Sequence, residues 1–78
     1  MYDYSKLKGR IREKIGSQRE YARLLNISNA SASAKLNSTV AFSITEMDKS
    51  LKILDIPVEQ IYDYFFTKKV ENNSTNEE

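Results

Sequence analysis

The sequence predicts an all-α fold, a compact bundle of five short helices. Three observations carry this. Apolar residues recur at the i, i+4, i+8 spacing of one helix face, as in Leu7, Ile11 and Ile15. Start and stop signals at Gly16, Ser17, Ser28, Ser43 and Pro57 cut the chain into lengths that suit one short helix each. No segment alternates polar and apolar residues for long enough to make a strand; Val40-Ala41-Phe42 is too short.

Helix 1 is predicted at about residues 4–15. Its other faces carry Lys6, Lys8, Arg10, Arg12 and Lys14, and Gly16 supplies the stop. Ser17-Gln18-Arg19-Glu20 reads as a capping box, in which the serine oxygen accepts from the third backbone N–H and the glutamate reaches back. Helix 2 then spans about residues 18–25, with Tyr21, Ala22, Leu24 and Leu25 available to the core. Asn26-Ile27-Ser28 breaks the chain for three residues, and Ser28 is a good N-cap. Residues 29–36, Asn-Ala-Ser-Ala-Ser-Ala-Lys-Leu, follow as helix 3: alanine is the best helix former and a flexible linker would carry glycine.

Ser43-Ile44-Thr45-Glu46 is a second capping box. It opens helix 4, about residues 44–54, with Ile44, Met47, Leu51 and Leu54 at core spacing. Pro57 suits the first position of helix 5, whose apolar side is Ile61, Tyr64 and Phe65. Tyr62, Tyr64, Phe65 and Phe66 cannot all face inward on a short helix, so at least one is expected at the surface, as is an aromatic ring of Tyr2 or Tyr4. The polar segment from residue 67 to 78 carries little apolar mass and is expected to be a disordered tail, leaving residues 1–66 as one domain.

Composition limits the chemistry. The chain has no histidine and no cysteine, so the commonest general base and the commonest metal ligands are missing. No nucleophile–base pairing and no phosphate-cradling glycine loop is present. The expectation is a protein that is no enzyme and has no cofactor, metal or small-molecule substrate. No apolar run approaches the ~20 residues of a membrane span and no signal peptide opens the chain, which suits a cytoplasmic location. The formal charge of +1 conceals an asymmetry: residues 1–39 hold eight Lys and Arg against three acids, whereas residues 40–78 hold four against eight. A basic half suits a polyanion, although the whole chain is less basic than a dedicated DNA binder.

Two short helices joined by a tight turn, the second opening at a serine cap, form a helix-turn-helix pattern. SQREYARLLNISNASASAKLN resembles the helix-turn-helix of temperate-phage repressor and Cro proteins. With YDYSKLKGRIREKIG before it and LDIPVEQIYDYFF after it, residues 2–66 resemble small phage-encoded regulators from Gram-positive hosts, of lambda-repressor-like fold. The resemblance implies that Gln18 holds a DNA phosphate, that Asn29, Ala30, Ser31 and Ala34 face base edges, and that Asn37 contacts a phosphate. It assigns Tyr21, Ala22, Ile27, Ala32 and Leu36 to packing. Arg19 and Lys35 join the candidate contact set, with Arg10, Arg12 and Lys14 as further phosphate candidates. The usual turn glycine is replaced by Asn26, which tolerates a left-handed backbone.

The reading set is sparse, because only Asn29 can make a bidentate base contact. Two functions therefore stand at this point. The first is a Cro-type regulator of the lysis–lysogeny switch that binds double-stranded operator DNA through helix 3, as a possible homodimer, in the bacterial cytoplasm. The second is an antirepressor, a modulator of repression that grips the cognate phage repressor. Here the Ala/Ser surface of helix 3 permits close approach, and the acidic second half answers the repressor's basic DNA-reading face.

Overall fold

Residues 1–69 are described by a computed structural model of the chain. Among them the chain forms five α-helices: α1 (Ser5–Lys14), α2 (Gln18–Leu25), α3 (Asn29–Leu36), α4 (Ile44–Ile53) and α5 (Ile61–Phe65), with one 3-10 turn at Val58–Gln60 before α5. The all-α, five-helix prediction holds. No helix among the described residues is long and apolar enough to cross a membrane.

The helix starts follow their serines. Ser17 Oγ accepts from the Glu20 N–H, and Ser28 Oγ from the Ser31 N–H at 3.0 Å. At α4 the box is complete: Glu46 N–H donates to Ser43 Oγ at 3.1 Å and Ser43 N–H donates to the Glu46 carboxylate at 2.8 Å. The box predicted at Ser17 is only half formed, because the Glu20 carboxylate turns outward to the Arg23 guanidinium three residues on.

The helix ends share a device. Each of α1 to α4 is followed by a residue with positive φ: Gly16 (106°), Asn26 (62°), Ser38 (65°) and Asp55 (55°). After the last three, the next N–H returns five residues to close the helix end: Ile27 to Ala22 O, Thr39 to Ala34 O and Ile56 to Leu51 O. Glycine serves one end, and non-glycine residues accept the strained left-handed conformation at the other three.

The core gathers Leu7 and Ile11 from α1, Tyr21 and Leu25 from α2, Leu36 from α3, Leu51 and Leu54 around the end of α4, and Tyr64 and Phe65 from α5. Tyr4, Phe42 and Phe65 meet in edge-to-face contacts, with ring centroids 5.3 Å apart for Tyr4–Phe42 and 5.1 Å for Phe42–Phe65. Phe42 thus pins the α3–α4 loop to the start of α1 and to α5. Tyr4, expected as a possible surface ring, is buried in this cluster. Ile44, expected in the core, is 84% exposed, because the first residue of α4 projects past the bundle edge. Leu24, read as available to the core, is 39% exposed. Tyr62 is the outward aromatic anticipated on α5.

Residues 67–69, placed in the tail by the sequence, are held instead against the N-terminus. Asp3 N–H donates to Thr67 O at 2.7 Å and Lys69 N–H to Met1 O at 3.1 Å, around a bridge between Tyr2 and Lys68. Backbone pairing of this kind needs no apolar side chain, so composition did not reveal it. The rest of the predicted tail, residues 70–78, lies outside the described residues.

A buried polar chain joins α2 to α4. Ser50 Oγ donates to Glu46 O at 2.7 Å, and Ser50 and Tyr21 hydroxyls are 2.7 Å apart. A hydroxyl has one proton, so Tyr21 must be the donor to Ser50. Burial pushes the Tyr21 phenol from its ordinary 10.0 up to about 12, against the opposing effect of the Ser50 bond. The neutral phenol is therefore favoured in the folded state, and its contribution to stability is complete below pH ~10 and lost as pH rises toward ~12. Tyr4 is raised in the same direction by burial.

Two outcomes follow for urea unfolding. Ser50→Ala, which strands the Tyr21 hydroxyl, costs about 1–3 kcal/mol, whereas Tyr21→Phe, which removes the donor itself, costs about 0.5–1.5 kcal/mol. Between pH ~10 and ~12 the native chain loses stability more steeply than Tyr21→Phe does.

Candidate functional site

The α2–α3 pair is positioned from inside. Ala32 and Leu36, one turn apart on α3, are buried together with Tyr21, Ala22 and Leu25 of α2. Alanine at 32 lets α3 lie close on α2. Burying that face turns the rest of α3 outward: Asn29, Ala30 and Ser31 are exposed, and Ala34 is half-buried. Ile27 in the turn is also half-buried. Asn26, at φ 62° and ψ 43°, takes the left-handed conformation expected of it and sets the angle of the turn.

The two helix starts are neighbours. Gln18 Nε2 donates to Asn29 Oδ1 at 3.4 Å, a long bond between the first residues of α2 and α3. Asn37, just beyond α3, is exposed and donates at 3.4 Å to Ser33 Oγ. Gln18, Asn29, Ala30, Ser31, Ala34 and Asn37 thus belong to one continuous element pair, as the sequence suggested.

The cations divide into two groups. Arg10 is not an outward contact. Its Nε donates to Leu54 O at 2.9 Å and its Nη2 to Asp55 O at 2.8 Å, so its fork closes the C-terminus of α4. Lys35 is also engaged: its ammonium lies 3.0 Å from the Glu46 carboxylate and donates to Ala41 O at 3.1 Å, with only 12% of the side chain exposed. Burial alone raises the Glu46 carboxyl, but the Ser43 N–H, the Lys35 ammonium and the Ser43 hydroxyl outweigh it and hold the group below its ordinary value. Both cations were expected to reach a partner; both are consumed by the fold, because each sits beside unpaired carbonyls at a helix end or loop.

Arg12, Lys14 and Arg19 behave differently. All three are exposed and form no ion pair among the described residues. Of the three, only Arg12 lines the shallow cleft of about 160 Å³ beside the start of α2, together with Lys8, Ser17 and Gln18 over a floor of Ile11 and Leu36. Among the described carboxylates of the acidic half, Glu46 pairs with Lys35, Asp48 with Lys52 and Asp63 with Lys6.

Sequence reasoning missed a second surface. A cleft of about 300 Å³ runs between α4 and α5, lined almost wholly by apolar residues including Ile44, Met47, Val58, Ile61 and Phe66. Ile44, Val58 and Tyr62 are 84%, 65% and 71% exposed. No signal in the sequence marked this surface, because Ile44, Met47 and Leu51 have the ordinary spacing of a core-facing helix side.

Residues 1–68 match the family model described as a protein of unknown function, DUF739. Among solved structures, the chain is similar to the solution structure of the modulator of repression (MOR) of the temperate bacteriophage TP901-1 from Lactococcus lactis. The two share 38% sequence identity, over 90% of this chain and 95% of that one, with a TM-score of 0.75. No curated protein matches the chain.

The division among the basic residues is measurable. Arg10→Ala unfolds at lower urea, a loss of about 1–3 kcal/mol from two charged hydrogen bonds to helix-end carbonyls. Arg12→Ala and Lys14→Ala stay within about 0.5 kcal/mol of the native chain.

Proposed function

The chain belongs to the DUF739 family, and on that footing we propose that it is a phage modulator of repression that binds the cognate repressor protein through the exposed surface of α3. The observation that carries this reading is what α3 offers outward. Ala30, Ser31 and Ala34 give a low surface that another protein can approach closely, and Lys35, the one cation on the helix, is held by Glu46 and the Ala41 carbonyl. The similarity to the TP901-1 modulator of repression supports the same reading. The role is one of binding rather than catalysis, exercised in the host cytoplasm at the lysis–lysogeny decision. Occupying the repressor's DNA-reading surface, or altering it, would relieve or redirect repression.

A second reading keeps its place because of one feature. The exposed cations Arg12, Lys14 and Arg19, of which Arg12 lines one cleft with Gln18, suit direct binding of operator DNA by α2 and α3 as a helix-turn-helix. In that case Gln18 and Asn37 position phosphates and Asn29 reads an adenine.

Calorimetry with the purified repressor and a salt series with operator-region DNA separate the two. The expected result is a stoichiometric protein complex that Ala30→Arg abolishes without altering the circular dichroism spectrum, and no salt-sensitive DNA binding at micromolar protein. A salt-dependent DNA complex weakened by about 1–3 kcal/mol on Asn29→Ala, with no repressor complex, would reverse the assignment.

A further inference from the structure

We propose that residues 70–78 dock as an acidic strap on the basic cleft beside the start of α2. The segment reads VENNSTNEE: it holds Glu71, Glu77 and Glu78 and no lysine or arginine. It follows Lys69, whose place is fixed by the bond from its N–H to Met1 O and by the adjoining Tyr2–Lys68 bridge.

That point opens onto a path. Lys69 lines a recess of about 190 Å³ together with Lys8, Leu36 and Asn37. Lys8 and Leu36 also line the cleft of about 160 Å³ that holds Arg12, Ser17 and Gln18. The shared side chains join the two recesses, leading from Lys69 past Lys8 to Arg12. Lys8 and Arg12 are one helical turn apart, about 6 Å along α1. An extended chain covers about 3.3 Å per residue, so Glu71 reaches about 7 Å beyond Lys69 and Glu77 about 26 Å. The first glutamate can meet Lys8, and Arg12 lies within the span of the last two.

Charge selects the occupant. Among the described residues no carboxylate lines the cleft, and neither Lys8 nor Arg12 forms an ion pair. Asp3, the acid that lines the recess beside Lys69, is taken: it accepts from Ser5 N–H at 2.9 Å and from Ser5 Oγ at 2.6 Å. The cleft's cations lack a counter-charge, and the segment that starts beside them supplies one. Exposed pairs of this kind are individually weak and salt-screened, so the contact is displaceable. An anion drawn to Arg12 and Gln18 must displace it, which makes the segment an internal competitor at the edge of the α2–α3 surface. The contact forms whichever macromolecule α3 binds, so its failure and that of the repressor reading are separate.

Paramagnetic relaxation in the full chain is the test. The sequence has no cysteine, so Asn76→Cys accepts a single nitroxide and keeps all three glutamates. The expected result is strong broadening of the Lys8, Arg12 and Gln18 amide signals at low salt, and weaker broadening at Ile44 and Val58 in the α4–α5 cleft. At about 1 M salt, where the screening length is ~3 Å, the broadening falls at least about threefold. At Gln18 it falls as far in the double variant Lys8→Gln/Arg12→Gln, whose two sites are exposed and whose unchanged circular dichroism spectrum checks the fold. Uniform or absent broadening overturns the proposal. So does Gln18 broadening that survives the loss of both cations.

Discussion

The pose of α3 depends on one polar node at the start of α4. Glu46 caps its own helix through Ser43, holds the Lys35 ammonium from the end of α3, and through its backbone carbonyl accepts the Ser50 hydroxyl, which in turn receives Tyr21 from α2. Three helices therefore meet in one hydrogen-bonded unit. Its members are satisfied, which is the condition under which a buried polar network specifies a single arrangement rather than weakening the core. The apolar contacts of Ala32 and Leu36 press α3 onto α2, but they would tolerate some sliding. The Lys35–Glu46 pair fixes the far end of the helix against the next element.

That node also explains how local signals succeeded and where they stopped. Caps are encoded within four residues, so Ser17, Ser28 and Ser43 marked three helix starts, and α2 and α3 fall where their sequence placed them. The inward face of α3 was legible for the same reason, since Ala32 and Leu36 sit one turn apart. Long-range partners were not. Arg10 and Arg12 look alike in sequence, yet one closes the end of α4 some forty residues away and the other stays free, a distinction set by which face of α1 meets α4. Ile44 looked like a core residue by spacing, and only the end of the bundle leaves it exposed. Ser38 and Asp55 gave no warning that they would take left-handed backbone, because the usual signal for such a helix end is glycine.

The consequence for the candidate site is a separation of two kinds of surface. Around α2 and α3 lie amides, small side chains and uncommitted cations; between α4 and α5 lies an apolar recess whose one charged lining residue, Asp48, pairs with Lys52. A domain of this size has little interior to spare, and each cation committed to a helix end is one withdrawn from the exterior. Arg10 and Lys35 serve the fold in this way, which leaves the outward face of α3 without a charge of its own.

Magnitudes decide how that face is best used. Specific DNA binding exceeds non-specific binding by about 4–10 kcal/mol, and one good bidentate contact contributes about 1–3 kcal/mol of discrimination. Asn29 is the single side chain on α3 suited to such a contact, so even two copies of the chain on a two-fold site reach only about 2–6 kcal/mol by direct reading. Small side chains change the balance for a protein partner. Alanine loses no rotamer freedom on burial, whereas long polar side chains lose up to about 2 kcal/mol each. Ala30 and Ala34 can therefore be covered at little entropic cost, and they let the partner's own large side chains supply the apolar area. An α3 surface poor in readers and free of its own charge is weak equipment for choosing among DNA sequences and adequate equipment for receiving another protein.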